Sequence, residues 1–363
     1  MDLGLIVMPN HPPERGVYEG AQWDLQVLQW ADQLGYKEAW FGEHFTIKWE
    51  PHCAPDILIA QALMVTERIK LCAGAHLLPY HHPVELAHRV ALLDQLARGR
   101  YMFGIGTGGF RTDADLFGID QRYSAAMTME ALEIIEGLWA ADDSGFTYDS
   151  KYWGRLDFRN EDPERTGLFI KPFQQPGPPI GMAGLSPRSS TLKLAGKRGF
   201  YPLSLNLSHH YLASHWEAYE EGAVEAGLVA DRRNWRVSRD IFVADTDEEA
   251  MRLCVDGMMG RTYREFFIPF FKAGGLDRYM VPDGQELTVE WLAKNAWLVG
   301  SPESVAERLQ EQYNAAGGWG VTNLQTWDYS DNPEAWRNCL ELLATEVVPR
   351  LELRDITPAG AAA

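Results

Sequence analysis

The stretch that decides the fold is residues 69–109, IKLCAGAHLLPYHHPVELAHRVALLDQLARGRYMFGIGTGG. Its first apolar run, Ile69–Leu78, predicts a buried strand, because short apolar runs are typical of parallel sheets. Pro83 begins a helix in which apolar residues recur every three or four positions, and Gly99 ends it. Tyr101–Ile105 is a second apolar run. The order strand, helix, strand predicts two parallel strands joined by a crossover helix.

The same alternation of apolar runs and helical segments extends in both directions along the chain. The predicted strands are Leu3–Met8, Glu38–Gly42, Ile69–Leu78, Tyr101–Ile105, Pro179–Ala183, Tyr201–Leu205, Trp235–Ala244 and Val321–Trp327. Eight such units predict an α/β fold, a single closed (β/α)8 TIM barrel, since closure leaves no exposed sheet edge. An open, doubly wound sheet is the main alternative.

Two segments interrupt the alternation. Residues 140–175 mix Gly, Asp, Pro and Tyr without a period, which predicts an excursion or a short hairpin. The segment near 260–290 is rich in aromatic residues and equally aperiodic, and we expect irregular structure from Phe266 to Glu286. We therefore predict one barrel over residues 1–355 with these two excursions, followed by a disordered tail at 356–363.

Composition and charge narrow the class of protein. The chain has 363 residues, of which 46% are hydrophobic and 23% charged, as in soluble globular proteins. Its net charge of −18 disfavours binding to nucleic acid and to anionic membranes. The four cysteines have no metal-binding or redox spacing, and the short N-terminal apolar run lacks the features of a signal peptide. These observations predict a reducing, cytoplasmic environment.

Reactive residues follow several of the predicted strands, at the barrel end where active sites lie. Glu43 and His44 come directly after the second strand, and His76 lies near the end of the third. Imidazole exchanges a proton near neutral pH, so we predict catalytic roles for His44 and His76, and Glu43, which follows the second strand with His44, is the third catalytic candidate. For His81 and His82 a structural hydrogen bond is the preferred interpretation. The histidines and carboxylates lack metal-ligand spacing, which predicts no metal site.

Two loops have the composition of ligand-binding turns. Gly106 and Thr107 belong to a GIGTGG loop after the fourth strand, which indicates either close approach of a ligand to the backbone or a tight turn. A second turn, between the fifth strand and its helix, combines hydroxyls, a guanidinium and free N–H groups, as a phosphate site requires. A plain helix cap is the simpler interpretation of that turn. Its candidate residues are Ser186, Arg188, Ser189 and Ser190.

Short motifs along nearly the whole chain carry a family resemblance. They are AWFGEH at 39–44, IKLCAGAHLLP at 69–79, LLDQLARGR at 92–100, FGIG at 103–106 and VGSPESV at 299–305. Together they resemble the bacterial-luciferase-like flavin-dependent monooxygenases. Three further motifs make the chain most similar to the diketocamphane monooxygenases and limonene monooxygenase within that family. These are AHLLPYHHP at 75–83, GGWG at 317–320 and WDYSDNP at 327–333.

The resemblance implies a function. It implies that reduced FMN from a separate, transiently bound flavin reductase is used with dioxygen to insert one oxygen atom into a hydrophobic substrate. The reaction would be either Baeyer–Villiger oxidation of a cyclic ketone or a hydroxylation. A homodimer formed through the early barrel helices is also implied.

The resemblance also implies roles for particular residues. Glu43 and His44 would lie by the flavin, and His76 would face the flavin or the substrate. Gly74 and Ala75 match the family's cis peptide beneath the flavin ring. The phosphate would be held by Thr107 and by the turn of Ser186, Arg188, Ser189 and Ser190.

The sequence departs from the family pattern at the phosphate. Thr107 stands where luciferase has an arginine, and Ala125 or Ala126 stands at the second arginine position. Arg122 or Arg188 would have to substitute, and weak binding of oxidised FMN would suit a cofactor that enters only when reduced.

Two other functions remain open from the sequence. One is a deazaflavin-dependent dehydrogenase of the same superfamily, which flavin titration would distinguish. The other is a non-catalytic flavin-binding protein, in which alanine at His44 and His76 would change no activity.

Overall fold

The computed structural model describes residues 1–205 and 208–358. Eight parallel strands close into a barrel, and four further strands form two small two-stranded sheets outside it. The strands of the described residues are β1 Asp2–Val7, β2 Glu38–Phe41, β3 Lys70–Leu77, β4 Tyr101–Gly106, β5 Gly145–Ser150, β6 Gly154–Arg159, β7 Ile180–Gly184, β8 Tyr201–Ser204, β9 Arg236–Arg239, β10 Ile241–Val243, β11 Leu298–Gly300 and β12 Val321–Gln325. The barrel order is β1-β2-β3-β4-β7-β8-β9-β12, with β12 pairing back to β1. The predicted TIM barrel is confirmed.

Helices follow the barrel strands and cover the outside of the barrel. The α-helices of the described residues are α1 Val17–Leu34, α2 Pro55–Leu63, α3 Pro83–Ala97, α4 Arg111–Phe117, α5 Ser124–Ala140, α6 Ser190–Arg198, α7 Leu212–Glu225, α8 Asp247–Val255, α9 Met258–Thr262, α10 Ile268–Gly274, α11 Val289–Asn295, α12 Pro302–Ala316 and α13 Pro333–Leu342. Within the described ranges, no helix combines the length and apolar character needed to cross a bilayer.

The core has two layers, as expected for strands buried on both faces. The larger layer lies between the barrel and its helices and includes Phe103, Val90 and Trp139. A small cluster fills the barrel interior, with Trp40 and Met102 among its members. Successive residues of one strand therefore face different environments, because side chains alternate between the two faces of a sheet.

A buried ion pair lies with the inward-facing residues of the barrel. Arg236 Nη2 donates to Glu38 Oε2 at 3.0 Å, and both side chains are at least nine-tenths buried. Trp40 Nε1 donates to the other oxygen of Glu38 at 2.7 Å. Since Glu38 begins β2 and Arg236 begins β9, the pair joins strands on opposite sides of the barrel at their amino-terminal ends.

The prediction of one long strand at Trp235–Ala244 was wrong. The chain leaves the barrel after β9, and β10 pairs in parallel with β11 in a separate sheet. Asp240 lies at the break between β9 and β10, where its carboxylate accepts a hydrogen bond from the Tyr263 hydroxyl at 2.8 Å. The stretch alternates apolar residues with polar ones as far as Ser238, and the adjacent charged residues Arg239 and Asp240 then mark the point where the strand is interrupted.

The two excursions have regular structure. Between α5 and β7, strands β5 and β6 form an antiparallel hairpin that contacts α5, where Tyr148 donates to Glu133 at 3.0 Å. The second excursion contains α9, a π-helical turn at Tyr263–Phe267, and α10. Irregular structure from Phe266 was therefore a wrong prediction as far as Gly274. Of the predicted tail, residues 359–363 lie outside the described residues.

Candidate functional site

Small residues lie where β3 and β4 pair at the carboxyl end of the barrel, and the register of this pair shifts between Ala73 and His76. The Gly74–Ala75 peptide bond is cis, and both residues are half-buried. A Cβ placed on Gly106 would lie 3.2 Å from the Cβ of Ala75, and one on Gly104 would overlap the backbone of β3. Because a side chain at either glycine would crowd its neighbours, the backbone stays bare at these positions, which fits the close approach of a planar ring system such as isoalloxazine.

Glu43 holds the end of β3 in place through a hydrogen bond to its backbone. Its carboxylate accepts the backbone N–H of Leu77 at 2.6 Å and lies 2.8 Å from Nε2 of His81. The Glu43 side chain is almost completely buried. His81, for which a structural role was preferred, thus holds Glu43, and Glu43 in turn holds the strand that carries Gly74 and Ala75.

His44 lies between two carboxylates. Its Nε2 is 3.2 Å from an oxygen of Glu50, and its Nδ1 is 3.7 Å from an oxygen of Asp113. Burial alone would lower the pKa of His44, but the two negative charges outweigh burial and raise that pKa. Neither ring nitrogen makes an aligned hydrogen bond. The raised pKa favours the protonated form of His44, whose ring nitrogens face the carboxylates of Glu50 and Asp113.

His76 lies on the helix side of β3 and does not face the barrel mouth, contrary to expectation. Its Nε2 is 3.2 Å from the hydroxyl of Tyr101, and its ring packs on Phe103, which belongs to the outer core. Complete burial lowers the pKa of His76 to about 3, so the ring is neutral at physiological pH. A direct catalytic role for His76 stays a prediction that this geometry does not favour.

The turn predicted to bind phosphate has its arginine engaged elsewhere. Arg188 contacts Glu217 at 3.3 Å and Glu221 at 3.1 Å through its guanidinium. Ser189 caps α6 by accepting the N–H of Leu192, which is the simpler of the two roles considered. Ser186 and Ser190 are exposed at the same turn.

Arg122, the other proposed substitute for the missing arginines, forms a two-pronged contact with Asp120. Neither guanidinium is therefore free for a phosphate in this structure. The phosphate role of Ser186, Arg188, Ser189 and Ser190 stays a prediction.

A row of aromatic rings leads from His44 into the second excursion. The ring of Phe110 meets His44 edge-on at 4.7 Å between centroids, and Phe270 packs on Phe110 at 4.9 Å. Phe266 continues the row and stacks on Trp49. Phe110, Phe266 and Phe270 are half-buried, so this row forms an apolar wall beside His44. Sequence reasoning missed Phe266 and Phe270, although the aromatic content of the segment was a signal.

A buried charged network joins helix α1, through Asp24, to the loops after β1, β2 and β12. Nδ1 of His11 is 2.9 Å from Asp328, and its Nε2 is 3.2 Å from Asp24. Arg15 also contacts Asp328, at 3.1 Å, and His52 approaches Asp24 at 3.7 Å. Burial opposes the charge on His11, but the two carboxylates raise its pKa to about 9. Because the partners come from distant loops, no sequence spacing shows them.

Two groups of histidines and carboxylates bring three ligand-type atoms within 4.8 Å of one another. One is His11, Asp24 and His52, and the other is Glu43, His76 and His81. The carboxylates of both groups already contact N–H groups of protein side chains or backbone. The expectation of no metal site stays a prediction.

The His11 network predicts a loss of stability at high pH. A pKa of about 9 in the folded protein against 6.5 for the free side chain stabilises the fold below pH 6.5 by about 3 kcal/mol. This contribution is lost as the pH rises through 9. Urea unfolding at pH 6.5 and pH 9.5 measures it, and His11→Gln should remove most of the difference. An equal pH dependence in that variant would contradict the assignment.

Comparison with known proteins bears on this site. The family profile described as luciferase-like monooxygenase matches residues 1–319. The 3,6-diketocamphane 1,6-monooxygenase of Pseudomonas putida is 34% identical over 97% of this chain and 99% of its own. Limonene 1,2-monooxygenase of Rhodococcus erythropolis is 31% identical over 96% of this chain and 86% of its own.

Solved structures show the same similarity. The oxygenating constituent of 3,6-diketocamphane monooxygenase from Pseudomonas putida, a type II Baeyer–Villiger monooxygenase in complex with FMN, is 35% identical. It superposes with a TM-score of 0.91 over 98% of this chain and 99% of its own. An F420-dependent secondary alcohol dehydrogenase has a TM-score of 0.67 at 19% identity, which shows a common fold alone.

Proposed function

We propose, from the premise that this chain belongs to the luciferase-like monooxygenase family, that it is the oxygenating component of a two-component monooxygenase. It would take reduced FMN and dioxygen and insert one oxygen atom into a hydrophobic ketone by Baeyer–Villiger oxidation. The observations that carry the proposal are the cis Gly74–Ala75 peptide of β3 and, after β2 at the same end of the barrel, His44 with its raised pKa and the ring of Phe110 against it. The FMN-bound relative with the same fold supports it.

Each group of residues in the site would have a separate role in the reaction. Reduced FMN, when bound, supplies the electrons that let dioxygen donate an oxygen atom. The surface formed by Gly74, Ala75 and Gly106 would orient the planar ring. His44 would hold a proton at a ring nitrogen and hydrogen-bond to the reacting oxygen. The wall that includes Phe110 would bind the substrate and exclude water from the reacting atoms.

Hydroxylation is the second outcome for the same site. It is supported by the similarity to limonene 1,2-monooxygenase, an enzyme named for limonene, which is not a ketone. The deazaflavin-dependent dehydrogenase is less well supported, because its representative shares only the fold. The two oxygenation outcomes differ in their products, since a cyclic ketone gives a lactone and an alkene or alkane does not.

Aerobic turnover tests the proposal. The protein is mixed with reduced FMN from any flavin reductase and with a panel of cyclic ketones and terpenes, and products are analysed by mass spectrometry. We expect a product that has gained one oxygen atom, and a lactone from at least one ketone. Hydride transfer from a reduced deazaflavin or to an oxidised one, with no oxygenated product from FMN, would contradict the monooxygenase assignment.

The remaining proposals concern the partners of the protein and its location in the cell. We infer that a separate flavin reductase delivers the cofactor in a transient contact, because the two arginines expected at the phosphate are absent and Arg122 and Arg188 contact carboxylates in this structure. A cytoplasmic location is supported by the four free cysteines, three of them buried. The net charge of −18 supports the absence of nucleic-acid and membrane partners.

The face formed by α2 and α3 supports a homodimer. A groove with a volume of 490 Å³ lies between these helices. Ile57, Met64, Leu92 and Leu96 line it and are 49–85% exposed. Such a contiguous apolar patch is unusual on a monomer, and a two-fold contact would bury the same patch on both subunits. The early barrel helices are the ones that the resemblance implied.

Charged substitutions on this face should separate the subunits. Met64→Lys combined with Leu96→Glu places a charge on each helix of the groove, which is costly to bury in an apolar interface. Light scattering should show twice the 41.0 kDa chain mass for the natural protein and the single mass for the variant. Val229→Lys, at a residue 75% exposed elsewhere, is the matched control and should stay dimeric. A natural protein of single mass would contradict the dimer.

A further inference from the structure

The loop after β2 folds back on itself and brings Glu50 against His44. The backbone N–H of His44 donates to the carbonyl oxygen of His52 at 2.7 Å, and the N–H of Glu50 donates to the carbonyl oxygen of Ile47 at 3.1 Å. These two hydrogen bonds close the loop from its first residue to its last. As a result, Oε2 of Glu50 lies 3.2 Å from Nε2 of His44.

The second carboxylate beside His44 already has other partners. Oδ1 of Asp113, on α4, accepts the backbone N–H of Thr46 at 2.8 Å and that of Phe45 at 3.3 Å. The Thr46 hydroxyl donates to the same oxygen. The other oxygen of Asp113 lies 3.7 Å from Nδ1 of His44, which is farther than Glu50 lies from Nε2. Asp113 therefore holds the loop in place, and Glu50 is the closer partner of the imidazole.

Burial gives the two carboxyl groups different acidities. Glu50 is 2% exposed, and its Oε2 makes no aligned hydrogen bond. Burial and the charge of Asp113 raise the pKa of Glu50, and the charge of His44 opposes the rise. In Asp113 burial also acts upwards, but hydrogen bonds from His44 and the loop outweigh it and lower the pKa. Opposite shifts in neighbouring acids indicate different roles, with Asp113 as the fixed anion and Glu50 as the partner that shares a proton.

The remaining charge near His44 has contacts of its own. Besides Glu50 and Asp113, the charge that acts on His44 is that of Glu43, at the end of β2. Glu43 accepts the N–H of Leu77 and contacts His81, as described above. For the described part of the chain, His44 is the one positive charge that acts on Glu50. The imidazole and the Glu50 carboxyl therefore depend on each other.

We propose that Glu50 is a positioning residue for oxygenation: its carboxylate accepts the Nε2–H of His44 and fixes the imidazole so that Nδ1 is the nitrogen that gives up a proton. The proposal rests on the proposed function and on the role of His44 in it. The longer, unaligned separation from Asp113 leaves Nδ1 the less firmly held nitrogen. In a histidine, the hydrogen bond at one nitrogen decides which proton the other can exchange.

The proton transfer balances at the imidazole. When His44 acts as an acid, the N–H bond at Nδ1 breaks and an O–H bond forms on an oxygen atom of the bound reactant. The electron pair of the broken bond stays on Nδ1. Nε2 keeps its proton, hydrogen-bonded to the Glu50 carboxylate, so the ring is left as the neutral Nε2–H tautomer. A proton from solvent restores the charged ring for the next turnover.

Glu50→Gln tests the proposal, because it keeps the size of the side chain and removes the charge. A carboxylate this close raises a histidine pKa by about one pH unit or more, so the variant should lower the pKa of His44 by that amount. The ratio of oxygenated product to FMN oxidised should equal that of the natural protein at low pH. Above the natural pKa it should be about tenfold lower for each pH unit of the shift. Glu50→Asp keeps the charge and should recover most of the ratio at high pH.

Nuclear magnetic resonance of the protein without flavin gives a second readout. The protein is prepared with isotope-labelled histidine and titrated with base, and the His44 signals are assigned as those missing from His44→Gln. We expect the natural protein to show the Nε2–H tautomer above the pKa of His44. Glu50→Gln should lower that pKa and mix the two tautomers. Lys48→Gln, at an exposed residue of the same loop, is the matched control and should change neither.

The outcomes separate this proposal from the proposed function. An Nδ1–H tautomer in the natural protein would overturn the role of Glu50, and so would an unchanged pKa of His44 in Glu50→Gln. A loss of oxygenation that is equal at every pH would also overturn it, since a purely structural residue gives that result. Each of these outcomes leaves the monooxygenase assignment standing. A natural protein that forms no oxygenated product at any pH would instead contradict the proposed function, while the titration of His44 would still decide the role of Glu50.

Discussion

Replacing His44 with alanine is expected to lower substrate oxygenation by about 10²–10⁴-fold, the usual contribution of a general acid or base. Glu50 and Asp113 raise the pKa of His44 and so favour its protonated form. Without the imidazole, the oxidation of reduced FMN should continue and release hydrogen peroxide, because electron transfer to dioxygen does not need this proton. The ratio of oxygenated product to FMN oxidised is the quantity to measure.

The pH profile provides a second readout of His44. Since the protonated form is required, oxygenation should be full below the raised pKa of His44 and should fall as the pH rises through it. His44→Gln should lack that fall. His82→Gln, at an exposed histidine beside α3, is the matched control and should keep the natural coupling ratio. Unchanged coupling in His44→Ala would contradict a catalytic role.

Replacing Arg236 with methionine is expected to lower the free energy of unfolding by about 3–5 kcal/mol. Methionine matches much of the arginine volume but leaves the buried carboxylate of Glu38 without its cation, and removing one partner of a buried pair has that typical cost. Trp40 and Asn323 still contact Glu38, and they donate only neutral hydrogen bonds. Urea unfolding measured by circular dichroism gives the difference.

Two variants show whether the effect comes from the unpaired charge. Glu38→Leu combined with Arg236→Met removes both charges and should recover most of the stability, as apolar replacements of buried pairs often do. Arg155→Met breaks exposed contacts with Asp149 and Asp157 on the β5–β6 hairpin and should cost less than about 1 kcal/mol. A double variant no more stable than Arg236→Met would contradict this explanation.

The sequence located the parts of the site that depend on strand ends. Glu43 and His44 follow β2 directly, and the Gly74–Ala75 bond lies within β3, so the barrel prediction already placed them at the carboxyl end. Phe110 follows β4 in the same way. Strand ends are set by local patterns of apolar residues and glycine, which a single sequence contains. The prediction of one strand at Trp235–Ala244 was wrong, because Asp240, which accepts a hydrogen bond from Tyr263, separates β9 from β10.

The sequence by itself determined the barrel fold and identified the carboxyl end of the strands as the location of the active site. It could do so because the periodicity of apolar residues and the order of the strands can be read locally along the chain. Only the tertiary structure decided that His76 faces the helices, that Arg188 is tied to Glu217 and Glu221, and that Asp113 faces His44. Each of these facts depends on which side of an element a side chain faces and on what a distant segment brings to it. Side-chain pairing across the fold is not encoded in any local spacing, so only the folded chain shows it.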